Sequence, residues 1–155
     1  MVATYLNPVL TAIVRVMEEM AQLSCKPDKP RRKTNNIAMG DMSSVIELKG
    51  MNGHGSVSVS FPRIVINALG KNILHSETSL NDDDQKDLVG EVANMIAGRV
   101  KGELGKKGLR LGISIPEILA GRPHRINHKS EATVFLLPFF TDVGPFYVEM
   151  SFTEK

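Results

Sequence analysis

The chain has one cysteine, Cys25, which excludes an intrachain disulfide and suits a reducing compartment, so the cytoplasm is the expected location. Long apolar runs are missing too. The first residues carry no basic cluster, and the apolar stripe beginning at Val9 is broken by Arg15, Glu18 and Glu19 within about ten residues, which fits neither a secretory signal nor a membrane span. Neither charge is in marked excess: 19 lysines and arginines face 17 acids, which leaves no footprint of a dedicated nucleic-acid surface. Neither nucleic acid nor membrane is therefore expected as a partner. The densest basic stretch, Lys26, Lys29, Arg31, Arg32 and Lys33, is interrupted by Pro27 and Pro30, has no interleaved aromatics, and reads as a solvated edge or loop.

Several catalytic signatures are absent as well. There is no G-x-S-x-G elbow, and Cys25 has no histidine near it in sequence, so nucleophilic hydrolysis has no visible candidate. The glycine-rich stretch from Gly98 to Gly112 contains Lys106-Lys107 but no Gly-Lys followed by Ser or Thr, and it follows a helix rather than a strand, unlike a phosphate-binding loop. His124 and His128 have the i, i+4 spacing of a helical metal pair, yet Gly121 and Pro123 precede them and no third ligand is evident.

What is present reads as one domain over 1–155, long enough and apolar enough to bury one core. After Asn7-Pro8, the residues Val9, Leu10, Ile13, Val14, Met17, Met20 and Leu23 recur at helical intervals and predict an amphipathic helix. Residues 26–44, with few large apolar side chains, predict an irregular strand or loop. Val45–Leu48 and Ser56–Phe61 read as strands around a turn at 50–55. Pro62 fits the first position of a second helix carrying Ile64, Val65, Ile66, Leu69 and Ile73. A third helix should begin near Asn81, where Asp82, Asp83 and Asp84 complement the positive end of the helix dipole, and run to about Leu104. Three strands follow, at Leu109–Ile115, Thr133–Leu137 and Phe146–Phe152, the last two joined by a turn at 141–144; Pro138 argues for an edge or a bulge. Methionines 17, 20 and 95 fall on apolar helix faces as core filling. The order predicts an α+β fold of helices packed on a mostly antiparallel sheet.

The third helix carries the chemistry. At about 100° per residue, Asp87, Glu91 and Asn94 fall within an arc of roughly 60°. Leu88, Val89, Val92, Met95, Ile96, Val100 and Leu104 take the other side and fix the rotation of the helix, directing the three polar groups at solvent or a partner. Gly90 and Gly98 flank them without side chains, which suggests that another chain approaches closely. A solvated helix face would show the same pattern, and spacing alone does not separate the two.

The text Asp87-Leu88-Val89-Gly90-Glu91-Val92-Ala93-Asn94-Met95-Ile96-Ala97-Gly98 resembles the signature of the CheC/CheX family of chemotaxis phosphatases, in which an Asp or Ser, a Glu and an Asn share one helix. A downstream proline belongs to that signature; Pro116 matches it, one residue closer to the asparagine than usual, which implies a shorter turn near Gly105 to Gly108. Asn7-Pro8, Gly40-Asp41 before a strand, and Gly55 to Pro62 leading into a helix are also similar to CheX-like proteins. The single Glu and Asn pair is similar to the CheX branch and unlike the two-copy pattern of many CheC and FliY proteins.

The resemblance implies a CheC-like domain whose substrate is the aspartyl phosphate of a CheY-type response regulator. Asn94 would orient the attacking water and Glu91 would engage the regulator's acceptor-site lysine, with Asp87, Gly90 and Gly98 at the partner contact. Magnesium would belong to the regulator, with no cofactor or metal held by this chain. A homodimer through sheet edges is implied as well. A different class of function is a catalytically idle adaptor that docks on a response regulator or a flagellar switch component, and a third is a structural homodimer whose polar face serves only solubility.

Overall fold

Strict alternation in Val57, Val59 and Phe61 puts three apolar side chains on one side of a strand, and the whole architecture is built on that side. The computed structural model describes residues 2–51, 53–128 and 131–154. In chain order the elements are α1 (Val2–Glu19), β1 (Lys26–Pro27), β2 (Arg31–Lys33), β3 (Met42–Gly50), β4 (Gly53–Phe61), α2 (Arg63–Leu74), α3 (Asp82–Lys106), β5 (Leu111–Ile113), β6 (Glu117–Ala120), β7 (Val134–Thr141) and β8 (Gly144–Glu154). The strands form one antiparallel sheet in the order β1-β7-β8-β4-β3-β5, with β2 also on β7 and β6 also on β3. The fold is α+β, with three helices over one sheet, as the order of elements predicted.

The register pairs Val57 with Met150 and Val59 with Val148, then Val148 with Leu137 and Phe146 with Phe139. These residues share the helix-facing side and join Val9, Ile13 and Met17 of α1, Val65, Ile66 and Leu69 of α2, and Leu88, Val92 and Ile96 of α3 in one core. Phe139 stacks on Phe146, ring centroids 4.9 Å apart. Fully burying each such side chain stabilises by roughly 1.5–3 kcal/mol before ordering entropy is subtracted.

Local expectations are corrected at several points. The helix α1 begins at Val2 and contains Pro8; the hydrogen bond Pro8 cannot make would be to the Thr4 carbonyl, close to the helix start, where it costs least. Met20 lies beyond the end of α1 and is 52% exposed, so it is not core. The region 26–44 contains β1, β2 and the start of β3, and the expected turn at 50–55 is mostly strand. Gly55 reads as turn chemistry, but it allows β8 to pass closely: a Cβ there would lie 2.2 Å from the Ser151 carbonyl oxygen. Pro62 is the N-cap of α2, with extended backbone, rather than its first helical residue.

Pro138 sits inside β7, which is flanked on both sides. Its carbonyl accepts from the Asp28 N–H. The N and O of one residue point to the same side of a strand, so the missing donor faces the gap between β1 and β2, where the outer strand is interrupted.

The other side of the sheet is polar and covered by two segments, 34–41 and 121–128. They are tied together by the Ile37–Arg125 bridge and by backbone bonds from Ala38 to His124 and from Ile126 to Asn36. Beneath them Ser43, Ser56, Ser58, Ser60, Glu149 and Ser151 are all buried.

Candidate functional site

The local sequence explains why α3 stands where it does. Asn81 caps it, its side-chain carbonyl accepting from the Asp84 N–H at 2.8 Å, and Asp82, Asp83 and Asp84 occupy the first turn against the positive end of the helix. Gln85, which no sequence pattern singles out, is 4% exposed; its Nε2 donates to the Leu80 carbonyl and its Oε1 accepts from Arg63. That links the start of α3 to the start of α2. Leu88, Val89, Val92, Ile96, Val100 and Leu104 are buried, as expected, while Met95 is half-buried at the core's margin. Ala93 and Ala97 lie on Ile46 of β3, the small side chains letting the helix settle close to the sheet.

With the rotation so fixed, Asp87, Glu91 and Asn94 are all exposed. Among the described residues none of the three side chains has a hydrogen-bond or ion-pair partner within the chain. The chain therefore presents a carboxylate, a second carboxylate and an amide on one rigid helix face, uncommitted to the fold itself. An amide is both donor and acceptor, a carboxylate only an acceptor; together they can hold a water and a cation side by side.

The two glycines differ. Gly98 is exposed, and a Cβ on it would meet nothing within 4 Å; the same is true of Gly102. Gly90 is half-buried against β6, where a Cβ would lie 3.8 Å from Ile118 Cδ1, an ordinary contact. Packing within the chain thus demands glycine at neither position 90 nor 98. Gly98→Ala should raise folding stability by about 0.5–1 kcal/mol, read as a higher denaturant midpoint. An unchanged or lower midpoint would show that α3 is strained there.

Pro116 lies between β5 and β6, half-buried, and next to Ile115, which is 90% exposed. The short turn expected near Gly105 to Gly108 is a tight helix end: Lys107, Gly108 and Leu109 donate back to the carbonyls of Leu104, Gly105 and Leu104. Burial pushes the Cys25 thiol up to about 12, with a smaller contribution from Glu18, a setting for an inert thiol and not a nucleophile.

His124 and His128 lie in the covering segment, not on a helix. Among the described residues no group of three histidine, cysteine or acidic side chains could hold a metal ion. His124 Nε2 is 2.7 Å from Ser43 Oγ. His128 bridges Ser56 and Glu149, and Glu149 also pairs with Lys33 Nζ at 2.6 Å. Lys33, read as part of a solvated edge, is a buried cation: its side chain is 4% exposed and that of Glu149 1%. A carboxylate in the centre of β8 is what draws it in, and no local pattern announces a partner 116 residues away.

The family described as "Chemotaxis phosphatase CheX" matches residues 42–140, a span that includes the whole of α3. The chain belongs to the CheX family. Its fold agrees with that of a CheC-like superfamily protein from Shewanella sp. PV-4 (TM-score 0.89, 33% identity, 99% of each chain covered). It also agrees with the chemotaxis protein CheX from Desulfovibrio desulfuricans (TM-score 0.87, 34% identity, 96% of this chain and 99% of that one). A more distant CheX fold, from Borrelia burgdorferi, was crystallised as a complex of CheX with CheY, BeF3 and Mg2+ (TM-score 0.79, 23% identity, 97% and 98% covered). A search of the curated proteins finds no match. The candidate residues ride on a helix laid over an antiparallel sheet. No described helix is long and apolar enough to cross a membrane.

Proposed function

We propose that this CheX-family chain binds a CheY-type response regulator and hydrolyses its aspartyl phosphate. The observation that carries this reading is the pairing of Glu91 and Asn94, exposed and, among the described residues, without a side-chain partner, on a helix whose rotation is fixed by its buried side. The Borrelia burgdorferi CheX was crystallised with CheY and beryllofluoride, which stands in for a phosphoryl group on the acceptor carboxylate. On this reading, Glu91 pairs with the acceptor-site lysine of the regulator and locks the two chains in register. The Asn94 carbonyl oxygen accepts from a water, while its NH2 faces a phosphoryl oxygen. The water oxygen bonds to phosphorus, the P–O bond to the aspartate breaks, and a carboxylate and inorganic phosphate are released. An acyl phosphate is already reactive, so positioning and charge stabilisation are sufficient and no covalent nucleophile is required.

Magnesium on this reading is held by the regulator's acidic site, and the setting is the cytoplasm. Two copies would pair through a sheet edge, for which β1/β2 and β5/β6 are the available rims. Decay of a radiolabelled phospho-regulator from the same genome, with magnesium present, tests the proposal. The parent protein should hasten decay, and Glu91→Ala should lose most of the effect together with affinity. Decay unchanged by the parent across a panel of regulators, with binding intact, would replace the enzyme by an adaptor. Absence of both would leave neither reading standing.

A further inference from the structure

Beside the exposed face of α3 runs an open groove that the sequence did not announce. Its floor is Leu74 at the end of α2, Leu80 in the connection 75–81, and Leu88 of α3; its rim is Asp84, Asp87 and Glu91. The groove encloses about 520 Å3. Neither Lys71 nor Lys86, on the neighbouring turns, lines it.

Its floor is fixed in place. Leu80 lies over Gly70, where a Cβ would approach its Cδ1 to 2.8 Å, and the Leu80 carbonyl is held by Gln85. Helix α2 stops at once beyond the groove, with His75 in the left-handed conformation at φ 55°. Leu74 is nevertheless 53% exposed, an apolar side chain left open beside three carboxylates.

Asp87 and Glu91 belong both to this rim and to the face carrying Asn94, so a chain seated over Glu91 and Asn94 also covers the groove. Burying Leu74 rewards an apolar side chain in the occupant. Three carboxylates along one rim reward basic groups on either side of it and repel acidic ones. We propose, on the functional reading given above, that this groove is the regulator's second anchor: it receives an apolar side chain that the regulator presents between basic residues. The phosphoryl site then confers chemistry, and the groove confers choice of regulator.

Binding of the same regulator, loaded with beryllofluoride and Mg2+, to the full-length protein tests this. Leu74→Lys should weaken binding by about tenfold or more, and Leu74→Met should bind close to the parent. Both should unfold at the parent's midpoint, because the side chain is half exposed. Met51→Lys, 91% exposed at the β3–β4 turn, should bind like the parent. Parental affinity in Leu74→Lys, with the parent binding and dephosphorylating the regulator, would overturn the groove and leave the phosphatase intact. Equal losses in Leu74→Lys and Met51→Lys would also overturn it, since the effect would then be one of added charge. A parent that neither binds nor dephosphorylates would remove the functional reading and the groove with it.

Discussion

Asn94→Ala is expected to slow dephosphorylation of the regulator by on the order of 10²-fold or more, the cost of losing one positioned polar group, while beryllofluoride-loaded regulator still binds. The separation follows from the geometry. Asn94 is exposed and has no hydrogen-bond partner among the described residues, so its removal leaves no group inside the chain unsatisfied. Alanine favours the helix over asparagine by a few tenths of a kcal/mol, so α3 should not loosen. Asn94→Asp should be no better than alanine. A carboxylate lacks the NH2 that faces a phosphoryl oxygen, and it places a negative charge beside an anionic group. Single-turnover decay and equilibrium binding, measured on the same variants, make the check. A rate retained in Asn94→Ala would move water positioning to another group and demote the α3 face to docking alone.

The second large effect lies on the opposite side of the sheet and concerns folding. Glu149→Ala should cost about 3–5 kcal/mol, because it leaves a buried cation without its counter-ion. Among the described residues Lys33 would retain only the Ile37 carbonyl, and His128 would lose its Glu149 contact and keep Ser56. The His128 ring sits between the two, with Nδ1 on the Ser56 hydroxyl and Nε2 on the Glu149 carboxylate. The double variant Lys33→Met with Glu149→Leu should recover most of the loss, since apolar groups of similar size replace a buried pair at little cost. Urea unfolding of Lys33→Met, Glu149→Leu and the double gives the coupling. Additive losses would mean that Lys33 reaches water in the single variant and that the pair contributes little.

The sequence made the two layers legible, and the candidate site with them. The buried positions of α3 recur with the helix period and its acids gather in the first turn, so both its rotation and its start could be read; Glu91 and Asn94 follow from that rotation. Elements held by distant pairing were not legible. Strand β6 is four residues with no alternation of burial, and it is strand because β3 lies beside it. Met20 continues the apolar spacing of α1 but falls one residue past the last turn, where the backbone no longer carries it inward. Lys33 and the two histidines look like solvent chemistry because their partners, Glu149, Ser43 and Ser56, come from strands far away in sequence. The groove has no local pattern either: its apolar floor comes from two helices and the connection between them, and its acidic rim from α3. The resemblance supplied the roles of Glu91 and Asn94; spacing supplied only that they share a face.

The pairing of β4 with β8 joins residue 53 to residue 154 across the middle of the sheet, which bears on how the protein is made. During synthesis, β3 and β4 can close as a hairpin and α2 and α3 can form behind them. The seam beside β4, with Val57 and Val59 on one side and buried serines on the other, stays open until β8 emerges. A chain caught at that stage presents an unpaired central edge, the kind that recruits strands from other molecules. Ribosome-bound chains ending before β8 should therefore be the ones that engage chaperones, and emergence of its eleven residues the step that frees them.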